Sequence, residues 1–149
     1  MTVDVDTILP KAADLRKKIA LAEAEKASKA MRKHLQQEEE KKALLDLLQR
    51  PSGVSDEEGI RRASIIIERA VSNGLNEVQV IRFPNTLCTD HGRAINQQES
   101  GWEQTLTGLP KEIYELWSRQ FRSRGYKLRV QIVDFPDGIP GDVAMTLAW

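Results

Sequence analysis

Cys88 and His91 are the residues of this chain whose types and spacing come closest to a catalytic pair. If residues 87–98 form a helix, the spacing of three places both side chains on one face, where the imidazole could act as a base toward the thiol. The sequence shows no third group that could orient the histidine. The simpler alternative is that Cys88 packs into the core with Ala94 and Ile95, since lone cysteines usually behave as small buried hydrophobes.

Metal or cofactor chemistry has little basis in the sequence. A zinc site uses at least three protein ligands even when it is catalytic, and the chain holds one cysteine and two histidines, Cys88, His34 and His91. The loop at residues 135–142 carries acids among glycines and prolines, but it lacks the ligand spacing of a calcium loop, so a turn at Asp137 is predicted. Phosphate-loop, zinc-protease and nucleophile-elbow signatures are absent. We therefore predict no metal and no cofactor.

The strongest local concentration of charge is a basic run at residues 119–129, which contains no acidic residue. Its cations lie beside aromatic residues, an arrangement suited to phosphate contacts and base stacking. If two helices lie side by side, Arg61 and Arg62 would extend this patch. The alternative is structural, because cations in the last turn of a helix interact favourably with its dipole and those of a strand occupy its solvent face. The candidate ligand-binding residues are Arg119, Arg122, Arg124, Lys127 and Arg129.

These candidates depend on the elements that residues 51–149 form, which we predict to be a compact α+β domain. Ser55 and Glu58 make a capping box, so a helix should begin there and cover residues 56–73. The crossover after the first strand should place two strands parallel, and the third strand should join antiparallel. The prediction is a small two-layer sandwich of about three strands in a mixed sheet, with helices on one face. The remaining predicted elements are a strand at 77–83, a helix at 110–124 and strands at 126–132 and 143–149.

Residues 1–50 differ in composition and predict one long charged helix over residues 8–50. The segment has no glycine, and its single proline, Pro10, falls in the first turn, where a missing N–H costs little. A thin, mostly alanine stripe follows the helix at spacings of three and four but shifts register near residue 20, and the leucine-rich last turns of the helix should dock on the domain. Pairing with a second copy or a partner helix would remove the stripe from water, as would folding back on the domain. The candidate interface residues are Leu15, Ile19, Ala24, Ala27, Met31 and Leu35.

The composition of the chain argues against some classes of function but does not identify one. The formal net charge is +0, from 22 basic and 22 acidic residues, so no global field attracts nucleic acid. No apolar run reaches the roughly 20 residues of a bilayer span, no secretory signal is evident, and a single cysteine suits a reducing compartment. We predict a cytoplasmic, non-catalytic interaction or structural module that associates, as a homodimer or with a protein partner, through its N-terminal helix. The alternatives are nucleic-acid or phosphate-ligand binding through the basic run, and a Cys-dependent enzyme.

Overall fold

The structure, a computed structural model, describes residues 4–149. This part of the chain divides into two compact units, the first ending at Leu44 and the second formed by Leu45–Trp149. The second unit begins inside a helix and not at residue 51, because Leu48 is buried in the hydrophobic core and Leu45 packs against it.

The N-terminal part is helical. A short helix, α1, covers Val5–Ile8, and a long helix, α2, covers Ala12–Gln49. The predicted long helix is thus confirmed, with its start moved beyond Pro10, the residue that a helix interior does not accept. The docking expected of its last turns holds for one side only, since Leu48 is 5% exposed and Leu47 is 67% exposed.

Helix α3, at Asp56–Ser72, begins at the predicted capping residue Ser55 and ends in a left-handed turn. The hydroxyl of Ser55 accepts a hydrogen bond from the backbone N–H of Glu58 at 3.2 Å, which satisfies one of the free donors of the first turn. At the other end, the N–H of Leu75 donates to the carbonyl of Ala70 at 2.9 Å, the closing bond of a Schellman motif.

The sheet has three strands, β1 at Glu77–Phe83, β2 at Lys127–Ile132 and β3 at Val143–Ala148, in the spatial order β1-β3-β2. The α+β class and the predicted strands are confirmed. The sheet is not mixed, however, because both neighbouring pairs are antiparallel. The last strand inserts between the first two, which still run in the same direction but never touch as a parallel pair.

The two faces of the sheet differ in polarity. A bulge between Gln79 and Ile81 interrupts the alternation of β1, which explains its imperfect period in the sequence. The outer face is polar and exposed along both edge strands, whereas helices pack over the inner face. The bulge residue Val80 packs against the core, as do inner-face residues of all three strands. By strand register, the inner face carries Val78, Ile81, Phe83, Leu128, Val130, Ile132, Val143, Met145 and Leu147.

The helix predicted at residues 110–124 is confirmed in extent but changes type along its length. It starts as an α-helix, α5, at Gly108–Leu116 and continues as a π-helical turn at Trp117–Phe121 and a 3₁₀ turn at Arg122–Arg124. The wider turn is closed by the N–H of Arg122, which donates to the carbonyl of Trp117. Such π turns inside helices are rare and occur often at functional sites.

The segment between β1 and α5, residues 84–107, is mostly irregular. It contains 3₁₀ turns at Asn85–Leu87 and Trp102–Thr105 and one short helix, α4, at Arg93–Asn96. The helix over residues 87–98 that would place Cys88 and His91 on one face is therefore not formed.

Candidate functional site

Cys88 and His91 differ in their exposure to solvent in this structure. Cys88 is 2% exposed in the core and forms an isolated antiparallel bridge with Leu106. Burial, reinforced by the nearby charge of Asp90, raises the pKa of the Cys88 thiol to about 11, so the nucleophilic thiolate is disfavoured near neutral pH. His91 is exposed in a left-handed turn with φ of 55°. Cys88 is buried together with Ala94, as the packing alternative requires.

Among the described side chains of residues 4–149, no group of three or more histidine, cysteine, aspartate or glutamate residues could hold a metal ion. Asp134 and Asp142, at the two ends of the loop, have structural partners. Arg82 bridges Asp134 at 3.3 Å and Asp142 at 3.0 Å, and Asp134 also accepts the backbone N–H of Asp142. Arg82 and Asp134 therefore hold together the two ends of the β2–β3 connection.

The basic run is spread over several separate intramolecular contacts. Arg119 forms a bidentate pair with Asp56, at 2.8 and 3.2 Å, and Arg129 pairs with Glu77 at 3.0 Å. Because these acids lie more than fifty positions earlier in the sequence, the run only looks unopposed when it is read locally. Two of its five cations, Arg119 and Arg129, therefore have acidic partners within the chain.

The other members of the run lie near the end of their helix or on the outer sheet face. The guanidinium of Arg122 lies 4.4 Å from the ring centroid of Trp117, a cation–π contact, and Arg124 donates to the carbonyl of Gln120. Lys127 is exposed on β2. Arg61 and Arg62, which could have enlarged the patch, pair instead with acids of their own helix.

The second unit contains a cavity of about 610 Å³ between α3, α5 and the inner face of the sheet. Its walls are largely apolar, and they include part of the π-helical turn. No motif in the sequence indicates this site, because its lining comes from five separate stretches of chain. The apolar lining residues are Leu47, Pro51, Val54, Ala63, Ile66, Val80, Leu109, Ile113, Leu116, Trp117, Phe121, Leu128 and Leu147.

Polar groups converge at the edge of this cavity. Asp56, at the start of α3, accepts hydrogen bonds from Arg119 and, at 3.0 Å, from the amide of Gln120. These bonds, that from Arg119 first, lower the pKa of the Asp56 carboxyl below its ordinary value. Glu112, another lining residue, accepts both the backbone N–H and the hydroxyl of Ser52, at 2.9 and 2.6 Å.

The proposed interface residues lie in the first unit and are exposed to solvent. Leu15 is 45% exposed, Ile19 58%, Met31 59% and Leu35 56%, and Ala24 and Ala27 are exposed as well. Among the described side chains of residues 4–44, none is buried. None of the helices in residues 4–149 has both the length and the apolar character needed to cross a bilayer.

Comparison with known proteins assigns no family: no protein-family model matches the chain, and neither does any curated protein or solved structure.

Proposed function

We propose that the protein is a non-catalytic interaction module that associates with a second copy of itself through helix α2. The observation that supports this proposal is the exposure of every described side chain between residues 4 and 44, the apolar stripe included. A long helix gains stability in water chiefly by packing an apolar face against something else. The described part of the first unit provides no such packing of its own.

The face of α2 that carries Met31 and Leu35 suits a second copy as the occupant. Ala24, Ala27, Met31 and Leu35 lie within about 80° of one another around the helix, whereas Leu15 and Ile19 lie on the opposite side. The two alanines would let two helix backbones approach closely. A second copy presents the same face, so pairing would remove these four residues of both helices from water.

A charge-introducing pair of substitutions tests this proposal. Fully burying one such side chain is worth about 1.5 to 3 kcal/mol, so removing the exposed half from water contributes roughly 1 kcal/mol. Met31→Glu with Leu35→Glu changes four side chains in a dimer, a loss of roughly 4 kcal/mol or about a thousandfold in Kd. Sedimentation equilibrium should show the variant as a monomer at concentrations where the parent is a dimer.

Gln36→Glu with Gln37→Glu is the matched control. It adds the same charge to the same turns, but on other faces of the helix, and it removes no apolar side chain. We expect the control to associate like the parent. If both double variants associate as the parent does, the stripe is not the interface.

The two alternative functions have less support from the arrangement of their residues. Nucleic-acid binding would rely on a run in which Arg119 and Arg129 already have acidic partners. The nucleic-acid alternative would be supported if the affinity for a nucleic-acid probe fell steeply between low and physiological salt, because phosphate contacts release counterions. A Cys-dependent enzyme would rely on Cys88, whose thiol is buried.

A further inference from the structure

The cavity between α3, α5 and the sheet has a donor-rich edge. Both carboxylates that line it already accept hydrogen bonds from the protein on both oxygens: Asp56 from Arg119 and Gln120, and Glu112 from Ser52. Acceptors at the edge are therefore largely occupied.

Hydrogen-bond donors among the residues that line the cavity remain available. Among the described residues, Arg50 has no carboxylate within 4.0 Å, and Arg62 uses its Nε toward Glu58 at 3.3 Å, which leaves its terminal nitrogens. Arg119 directs only Nε and Nη2 at Asp56, out of the five N–H groups of a guanidinium. A ligand group at this edge would meet N–H donors, and it would gain most by carrying negative charge.

The interior of the cavity is apolar, so it favours an apolar part of a ligand. The walls are aliphatic and aromatic side chains, and the volume of about 610 Å³ lies within the range of roughly 300 to 1,000 Å³ that small-molecule sites occupy. Trp117 and Phe121, the first and last residues of the π-helical turn, contribute to these walls. Pockets with apolar walls and a few convergent polar groups are the usual form of a small-molecule site.

We propose that this cavity binds a small amphipathic molecule with an apolar body and one anionic head group, the body against the α3, α5 and sheet side chains and the head at Arg50 and Arg62. This goes beyond self-association through α2, because every lining residue belongs to the second unit. A carboxylate and a phosphate are both anionic head groups of this kind, so one probe with each head group is needed to tell which of them the site prefers.

Titration calorimetry of the 149-residue chain with decanoate tests the proposal, with decanol as the uncharged probe of equal chain length and decyl phosphate as the second anion. We expect saturable binding of one or both anions, decanol at least about tenfold weaker, and quenching or shift of Trp117 fluorescence on binding. No saturable binding of either anion, or decanol binding as tightly as they do, would overturn the proposal.

Variants locate the site. Ala63→Phe should fill the cavity and abolish binding, and Ile66→Trp serves the same purpose if Ala63→Phe fails to fold. Arg62→Gln should weaken anion binding about tenfold, whereas Arg69→Gln, an exposed arginine of the same helix outside the lining, should leave it unchanged. Anion binding that survives both filling variants in folded protein would place the site elsewhere.

The double variant designed to disrupt self-association distinguishes a failure of this proposal from a failure of the proposed function. Met31→Glu with Leu35→Glu should bind the anions with the parent's affinity, because neither residue lines the cavity. Loss of anion binding in that variant would contradict a site confined to the second unit.

Discussion

Gly108→Ala tests the packing of the end of α2 against the start of α5. Gly108 has φ of +57°, and a methyl group there would overlap the carbonyl oxygen of Leu48 and lie 3.0 Å from Cα of Gln49. These are backbone atoms, so no change of rotamer relieves the overlap. The substitution therefore pushes the last turn of α2 away from the core in which Leu48 is buried.

The cost has two parts. A left-handed conformation costs a residue with a Cβ roughly 1 to 2 kcal/mol, and overpacking costs about 1 to 3 kcal/mol more. We expect Gly108→Ala to lower the free energy of unfolding by about 2 to 5 kcal/mol in urea, measured by circular dichroism and tryptophan fluorescence.

Gly101→Ala is the matched control, because Gly101 has φ of +85° but no described atom within 4 Å of a built Cβ. Gly101→Ala should lower the free energy of unfolding only by the cost of the left-handed conformation, roughly 1 to 2 kcal/mol. Equal losses for the two variants would refute the packing of Leu48 and Gln49 on Gly108.

Two further predictions concern ionisable groups. Cys88 should react slowly with a thiol reagent near neutral pH and rapidly once urea unfolds the protein, because burial raises its pKa to about 11; rapid labelling of folded protein would contradict this. Arg119 and Gln120 lower the pKa of Asp56 beneath the ordinary value of 3.8, so the stability from this carboxylate is present above pH 3.8 and is lost as the pH falls through the lowered pKa. Asp56→Asn should therefore flatten the acid limb of a plot of unfolding free energy against pH, and an unchanged limb would argue against the pair.

Local patterns were enough to predict most of the elements. The capping box at Ser55 marks the start of α3, and strict alternation marks β2, because both signals act between near neighbours in the chain. The pattern of β1 is less regular for a physical reason, the bulge between Gln79 and Ile81. The order of strands is a long-range property, and the mixed sheet was wrong because β3 lies between β1 and β2.

The candidate sites were harder to predict for the same reason. The basic run seemed unopposed because the acids that pair with it, Asp56 and Glu77, come from α3 and β1. The cavity could not be predicted at all, since five stretches between Leu47 and Leu147 line it and none has a signature of its own. The irregular backbone around Cys88 likewise depends on tertiary contacts, such as its bridge to Leu106.

The central claim, that α2 associates with its own copy, is tested most directly by the mass of the 149-residue chain in solution. Light scattering at about tens of micromolar, with helix content followed by circular dichroism, should give about twice the monomer mass of 16.9 kDa. A mass of one chain at that concentration, with the helical signal of α2 intact, would contradict the account.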